Sequence, residues 1–279
     1  MGLYRKVGNP RRRGGTYKNK YTTMGGKNMK LIHLSDLHFH RRKADNSAAT
    51  KTLGYVKKQY PNHGLVVTGD IVDDGHEEQY ERAFDALKNF MGRIYISPGN
   101  HDFGAAGNFY SQERAERFDE MLSIPLQQGG TFTGDNTPVV HIMEEDTDRV
   151  MLIALDSNLE TAHPFDFACG EIGNEQLAAL DTILSNPSTA DVIKILFLHH
   201  HPFMHGNPFM ELKDAYELMR SIYFRVHAVL FGHKHVSNQW ENMNGIPYVL
   251  ASDNSPGKDW AREITIEHGV VTVNDVKIA

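Results

Sequence analysis

Five times along this chain a short apolar run stops at an aspartate, asparagine or histidine. Leu31-Ile32-His33-Leu34 leads into Ser35-Asp36-Leu37-His38, and Leu65-Val66-Val67-Thr68 into Gly69-Asp70. Ile94-Tyr95-Ile96 leads into Ser97-Pro98-Gly99-Asn100-His101-Asp102. The run 192–198 leads into His199-His200-His201-Pro202, and Ala228-Val229-Leu230-Phe231 into Gly232-His233-Lys234-His235. Short runs rich in Val, Ile and Leu and closed by Gly or Pro read as buried strands. One polar residue at a strand end is a cap or a surface group. Five repeats of the design demand a fold in which strand ends meet, as they do at the ligand crevice of α/β proteins.

Helical patterns fill the gaps. A polar helix is expected over 46–59. Apolar residues at Ala83, Phe84, Leu87 and Phe90 predict a helix over 77–91 with one buried face. Similar spacing predicts helices over 111–122, 174–184 and 211–222. Residues 124–150 are turn-rich and should hold a short hairpin. Strands are expected over 150–155, 248–251, 263–267 and 270–276, the last two antiparallel. Strand–helix alternation favours an α/β fold with mixed sheets covered by helices. Without an internal repeat or a low-complexity linker, residues 29–279 read as one domain.

Charge separates a tail from that domain. Residues 1–30 hold nine Lys/Arg and no Asp/Glu; the remainder carries 20 basic against 35 acidic residues, a net of −15. Residues 1–28 have no apolar periodicity and read as a disordered basic tail. An expression leader or an overlong start, with the natural beginning at Met29, is the simpler account of it. An acidic body argues against a broad nucleic-acid surface and suits multivalent cations. No window reaches eighteen apolar residues, which excludes a transmembrane helix and hence a membrane partner. The N-terminus lacks the apolar core of an export signal. The single cysteine, Cys169, allows no intrachain disulfide and fits a reducing cytoplasm, the expected location. It reads as a small packing residue.

The strand ends deliver Asp36, His38, Asp70, Asn100, one histidine of 199–201, His233 and His235. Carboxylate, amide and imidazole without thiolate suit Mn, Fe or Zn. Seven ligands are too many for one tetrahedral ion and about right for two ions sharing a carboxylate. Such a pair, roughly 3.5–4 Å apart, clamps a phosphoryl group and lowers the pKa of a bridging water.

Asp36-x-His38, Gly69-Asp70, Gly99-Asn100-His101-Asp102, His200-His201-Pro202 and Gly232-His233-x-His235 resemble the signature of the metallophosphoesterases, the calcineurin-like phosphoesterase superfamily. All five blocks occur in that family's order. The resemblance implies a four-layer α/β/β/α sandwich, two mixed sheets flanked by helices. It implies Asp36, His38 and His235 on one metal, Asn100, His200 and His233 on the other, and Asp70 bridging them. It places His101 over the substrate phosphate as general acid or transition-state stabiliser, with Asp102 orienting its ring. The family's ligand stands two residues before the proline, which selects His200. Strand alternation would then turn His199 and His201 away, and a one-residue slip in the strand end would change the choice.

Within the superfamily, Asp74 stands where Ser/Thr protein phosphatases carry a phosphate-binding arginine, and Asp102 where they carry Glu; both disfavour that activity. Val72-Asp73-Asp74-Gly75, Leu155-Asp156-Ser157 and Gly173-x-x-Gln176-Leu177 look more like the class III cyclic-nucleotide phosphodiesterase and glycerophosphodiesterase branch. The expected activity is hydrolysis of a small phosphodiester by a metal-bridging hydroxide. The alternatives are a nuclease or phosphomonoesterase of the same superfamily, or a non-catalytic metal-binding scaffold. Neither substrate nor oligomeric state is legible. His40 and His205 stand near the pocket in sequence as substrate contacts or solvated loop residues. Phe103, Phe109 and Tyr110 are pocket candidates, with core packing the better reading for at least one.

Overall fold

The computed structural model describes residues 28–133, 137–159, 167–203 and 207–278. The basic tail, and with it all but one residue of 1–28, lies outside these, as does His205. The first half runs β1 (Met29–Leu34), α1 (Ser47–Gln59), β2 (Gly64–Thr68), α2 (Glu77–Leu87) and β3 (Ile94–Ser97). One helical turn, α3 (Asn100–Phe103), a ribbon of β4 (Gly104–Ala105) and β5 (Phe109–Tyr110), and α4 (Gln112–Phe118) follow. Next come β6 (Val139–Glu145), β7 (Asp148–Ala154), α5 (Asn174–Leu184), β8 (Ile193–Phe197) and α6 (Ala215–Ile222). The described chain closes with β9 (Ala228–Phe231), β10 (Asn238–Met243), β11 (Ile246–Ala251), β12 (Trp260–Glu267) and β13 (Val270–Lys277).

Two mixed sheets result, ordered β13-β12-β1-β2-β3 and β10-β11-β9-β8-β7-β6. β1, β2 and β3 are parallel neighbours in the first, and β7, β8, β9 and β11 in the second. The parallel strands point their carboxyl ends at one rim.

Side-chain alternation assigns the layers. On β6, His141 is the partner of Leu152 and lays its ring against Tyr95 of β3 (centroids 4.8 Å apart), so Val150, Leu152 and Ala154 of β7 face the first sheet on the side that carries Tyr95 and Val66. Met151 and Ile153 turn the opposite way, against Leu177 and Leu180 of α5 and Leu218 of α6. Leu53 and Val56 of α1 and Tyr80, Ala83 and Leu87 of α2 cover the first sheet. The order is helices, sheet, sheet, helices, as the motif resemblance implied.

Local differences from the sequence pattern have simple causes. α2 stops at Leu87, and a tighter turn, Lys88–Phe90, carries Phe90 into the core. The expected helix over 211–222 starts at Ala215, after Asp214 has turned its carboxylate to the backbone N–H groups of Ile172 and Gly173. β10 was not expected, because an edge strand with half-exposed polar residues has no apolar alternation to read.

Asp148, at the start of β7, accepts hydrogen bonds from the backbone of His268 (2.8 Å) and Gly269 (2.7 Å), fastening the β12–β13 turn across to the other sheet. Asp148→Ala should lower stability by about 2 kcal/mol, the worth of charge-assisted bonds at a partly buried position. A chemical-denaturation midpoint equal to that of wild type would show that the clamp contributes nothing.

Candidate metal centre

The rim where the parallel strands end is built from abrupt backbone turns. Asp36, His38, Asp70, His233 and His235 all adopt left-handed backbone, with φ of 59°, 46°, 48°, 76° and 48°. Such residues lack the usual steric ease of L-amino acids, costing about 1–2 kcal/mol each, and cluster at functional sites. The turns are held from outside: Asp36 N–H donates to the Gly69 carbonyl (3.2 Å), and His38 N–H to that of Asp70 (3.0 Å). Gly69, at φ 78°, has the His199 ring so close that a Cβ would lie 2.6 Å from its Nδ1. Only glycine fits there.

Three groups of side chains offer donor atoms within 4.8 Å of one another: Asp36, His38 and His235; His38, Asp70 and His101; Asp70, His199 and His233. Asp70 is common to two of them, the place the motif resemblance gave to a bridging carboxylate. Asn100 faces the third group. Its Nδ2 donates to the Gly107 carbonyl (2.8 Å), which turns Oδ1 toward His199 Nε2 and His233 Nδ1, each 3.0 Å away.

Histidines 199–201 correct the alternation argument. β8 ends at Phe197, so a period of two does not extend to them. His199 enters the site: Nδ1 donates to the Thr68 carbonyl (2.8 Å), and Nε2 lies 3.2 Å from Asp70 Oδ2. His200 borders the site as well, with its ring centroid 4.4 Å from that of His233 and its Nδ1 2.9 Å from Ser157 Oγ. His201 turns away and packs on Phe231 and Trp240.

A second correction concerns Asp102. Its carboxylate does not touch the His101 ring; it accepts from the backbone N–H groups of Val72 (2.8 Å), Gly99 (2.8 Å) and Ile71 (3.3 Å). Asp102 ties the exit of β2 to the start of α3, because a buried carboxylate must collect donors and those backbone groups lie nearest. His101 is held instead by the main-chain carbonyl of Asp73, 2.6 Å from Nδ1, while its own N–H donates to Asp70 Oδ1 (2.9 Å).

Some site residues were missed in the sequence. The Asp73 side chain lies 3.6 Å from His38 Nδ1 and 3.2 Å from His40 Nδ1. It belongs to the Gly-Asp-Ile-Val-Asp run, which was a signal. Asp253 lies 3.5 Å from His235 Nδ1, and no motif marks it. Of the aromatic candidates, Phe103 is core and Phe109 is exposed.

The model of the calcineurin-like phosphoesterase family matches residues 29–237, most of this chain. The chain belongs to the calcineurin-like phosphoesterase family. It is 23% identical over 228 residues to the 3′,5′-cyclic AMP phosphodiesterase CpdA of Haemophilus influenzae, spanning 76% of this chain and 72% of that protein. A probable cyclic nucleotide phosphodiesterase of Rhodococcus erythropolis is 27% identical over 254 residues, or 86% and 75% of the two chains. The glycerophosphodiester phosphodiesterase GpdQ of Enterobacter lignolyticus is 28% identical over 193 residues, 66% of this chain and 60% of that one. Among solved structures, a yellow lupin purple acid phosphatase superposes with a TM-score of 0.62 at 11% identity, covering 90% of this chain and 52% of that one. The phosphopantetheinyl hydrolase of Mycobacterium tuberculosis gives 0.53 at 15% identity, covering 84% and 91%. These superpositions speak to the fold. Family and relatives together make the protein a metal-dependent phosphoester hydrolase.

The electrostatics of this phosphoesterase fit a cationic group. Burial, reinforced by the neighbouring His199 charge, pushes His200 down to about 3. Burial, then His200 and His199, also hold His233 well below the ordinary histidine range. Both rings are therefore neutral, and the Nε2 atom of each is buried with no hydrogen-bond partner. A neutral imidazole with an unused lone pair is the form that binds metal. At Asp70 burial opposes the charge, but His199, His101 and His38 outweigh it and hold the carboxyl well below its usual range. Burial likewise opposes protonation of His38 and His199, yet the surrounding aspartates lift each to about 9. These acids and imidazoles are balanced by protons in a place where a multivalent cation would balance them better. Among the described residues, no helix is long and apolar enough to cross a membrane.

Proposed function

We propose that this phosphoesterase uses two metal ions to hydrolyse a small phosphodiester of the cyclic-nucleotide or glycerophosphodiester type. The observation that carries the reading is Asp70, a buried carboxylate common to two ligand groups, with orphaned neutral imidazole nitrogens beside it. Asp36, His38 and His235 would hold one ion. Asn100, His200 and His233 would hold the other, with His199 in place to join them, and Asp70 would serve both. Oxygen and nitrogen donors without thiolate suit Mn, Fe or Zn. When bound, such ions neutralise phosphoryl oxygens and make water more acidic at neutral pH.

The protein's own groups supply the rest. With Nδ1 engaged by the Asp73 carbonyl, His101 presents Nε2 as its free nitrogen. Hydrolysis forms a new bond from a water oxygen to phosphorus and breaks one P–O ester bond; the departing alkoxide takes a proton from His101 Nε2, and the proton lost by the attacking water passes to solvent, from which the ring regains its own. Asp73 and Asp102 act on the framework, the first holding the His101 ring and the second holding the loops. The relatives named for cyclic-nucleotide and glycerophosphodiester hydrolysis support the diester substrate. A cytoplasmic location accords with a single buried cysteine.

Chelator-stripped protein should lose hydrolysis of bis-p-nitrophenyl phosphate and regain it with Mn²⁺. A metal-free protein of equal activity would overturn the mechanism. A panel of 2′,3′- and 3′,5′-cyclic nucleotides, glycerophosphodiesters, p-nitrophenyl phosphate and single-stranded DNA then tests the substrate. The highest kcat/KM should fall on a small diester; a preference for the monoester or for DNA would replace this reading with a phosphomonoesterase or a nuclease.

A further inference from the structure

β11 ends at Ala251, beside the ends of β1 and β9, and the next four residues reach across both. Asn254 clamps β1: its N–H donates to the Ser35 carbonyl (2.9 Å), and its Oδ1 accepts from Ser35 N–H (3.0 Å). Ser35 immediately precedes Asp36. Asp253 points the other way, toward His235, with Oδ1 3.5 Å from His235 Nδ1. Ser255 holds that oxygen through its N–H (3.0 Å) and its hydroxyl (2.6 Å). Oδ2 is buried without a hydrogen bond, and its nearest cation is Lys258 at 3.7 Å. The carboxylate is 1% exposed and the His235 side chain 45%, so a buried acid props an imidazole that is nearly half in solvent and otherwise leans on the His38 ring. Asp253, Asn254, Ser255 and Lys258 all lie beyond residue 237, where the family match ends.

We propose that Asp253 is a positioning residue for His235: its carboxylate takes Nδ1, leaving Nε2 to face Asp36 and His38, and so sets how tightly that group holds a divalent ion. This rests on the metal-binding reading above. An exposed imidazole samples several rotamers, and each one outside the binding geometry subtracts from affinity. A fixed carboxylate behind Nδ1 removes those rotamers, selects the tautomer and makes the ligating nitrogen more basic. Aspartate is also a former of tight turns, and the Oδ1 bond to Ser255 N–H is such a turn. The experiment must separate the two roles.

The full chain is titrated with Mn²⁺, followed by electron paramagnetic resonance, as wild type, Asp253→Asn, Asp253→Ala, His235→Ala and the double variant His235→Ala/Asp253→Ala. Asp253→Ala should weaken binding about ten- to a hundredfold. Asp253→Asn, which keeps the turn to Ser255, should weaken it in the same direction. In the His235→Ala background, removing Asp253 should change affinity by less than about twofold, because its effect passes through that ring. The proposal is overturned if Asp253→Ala and Asp253→Asn bind like wild type, or if Asp253→Ala costs the same factor with and without His235. Wild type that takes up no Mn²⁺ would instead sink the metal-binding reading itself.

Discussion

Asp70→Asn should reduce phosphodiester hydrolysis on the order of a hundred- to a thousandfold and lower bound metal at both ligand groups together. Asparagine keeps the shape and retains an oxygen to accept the His101 backbone N–H, so α3 keeps its place. What is lost is the one negative charge in two groups whose other members are all histidines. His38 also stands in two groups but carries no negative charge, and each remaining member of the three groups, the Asp36 carboxylate included, stands in one. Asn100 serves the His199 and His233 side. Metal content by elemental analysis, measured beside kcat/KM, checks the point. Two retained equivalents with near-normal activity would refute the shared role of Asp70.

The second large effect is expected at His101, where replacement by alanine should lower kcat by roughly 10²–10⁴ while metal content stays at the wild-type level. The ring is fixed by the Asp73 carbonyl, not by a titrating side chain, so its removal should leave the rest of the site standing. A proton donor matters most when the leaving group is a poor one. The loss should therefore be greatest with an alkyl alcohol as leaving group and smallest with p-nitrophenol. Because His101 also shares a potential ligand group with His38 and Asp70, the rival outcome is specific: metal lost with the ring would make His101 a ligand. An equal loss across leaving groups would remove it from proton transfer.

These experiments address a site that was only partly legible in the sequence. The metal-ligand candidates could be found because each follows an apolar run that had to be a buried strand. The parallel strands of both sheets end at one rim whatever the surrounding residues are. The two-sheet architecture came from the same five motifs through their resemblance to a family. Side-chain direction beyond the strand ends was not legible. Alternation placed His199 away from the site, yet the strand stops two residues earlier and the ring reaches Asp70. The family resemblance implied that Asp102 serves His101, yet the nearest unsatisfied donors were backbone groups of residues 71, 72 and 99.

Pro98-Gly99-Asn100-His101-Asp102 shows the division within one turn. The sequence by itself determined that a buried strand ends there in residues able to bind metal and move protons, since composition and local periodicity carry that information. The tertiary structure alone decided the roles. Asn100 is aimed by Gly107, His101 is held by the carbonyl of Asp73, and Asp102 is spent on the backbone. Asp253 reaches His235 from eighteen residues away by the same logic. Which donor finds which acceptor depends on distances between segments remote in the chain, and those distances exist only once the two sheets have packed.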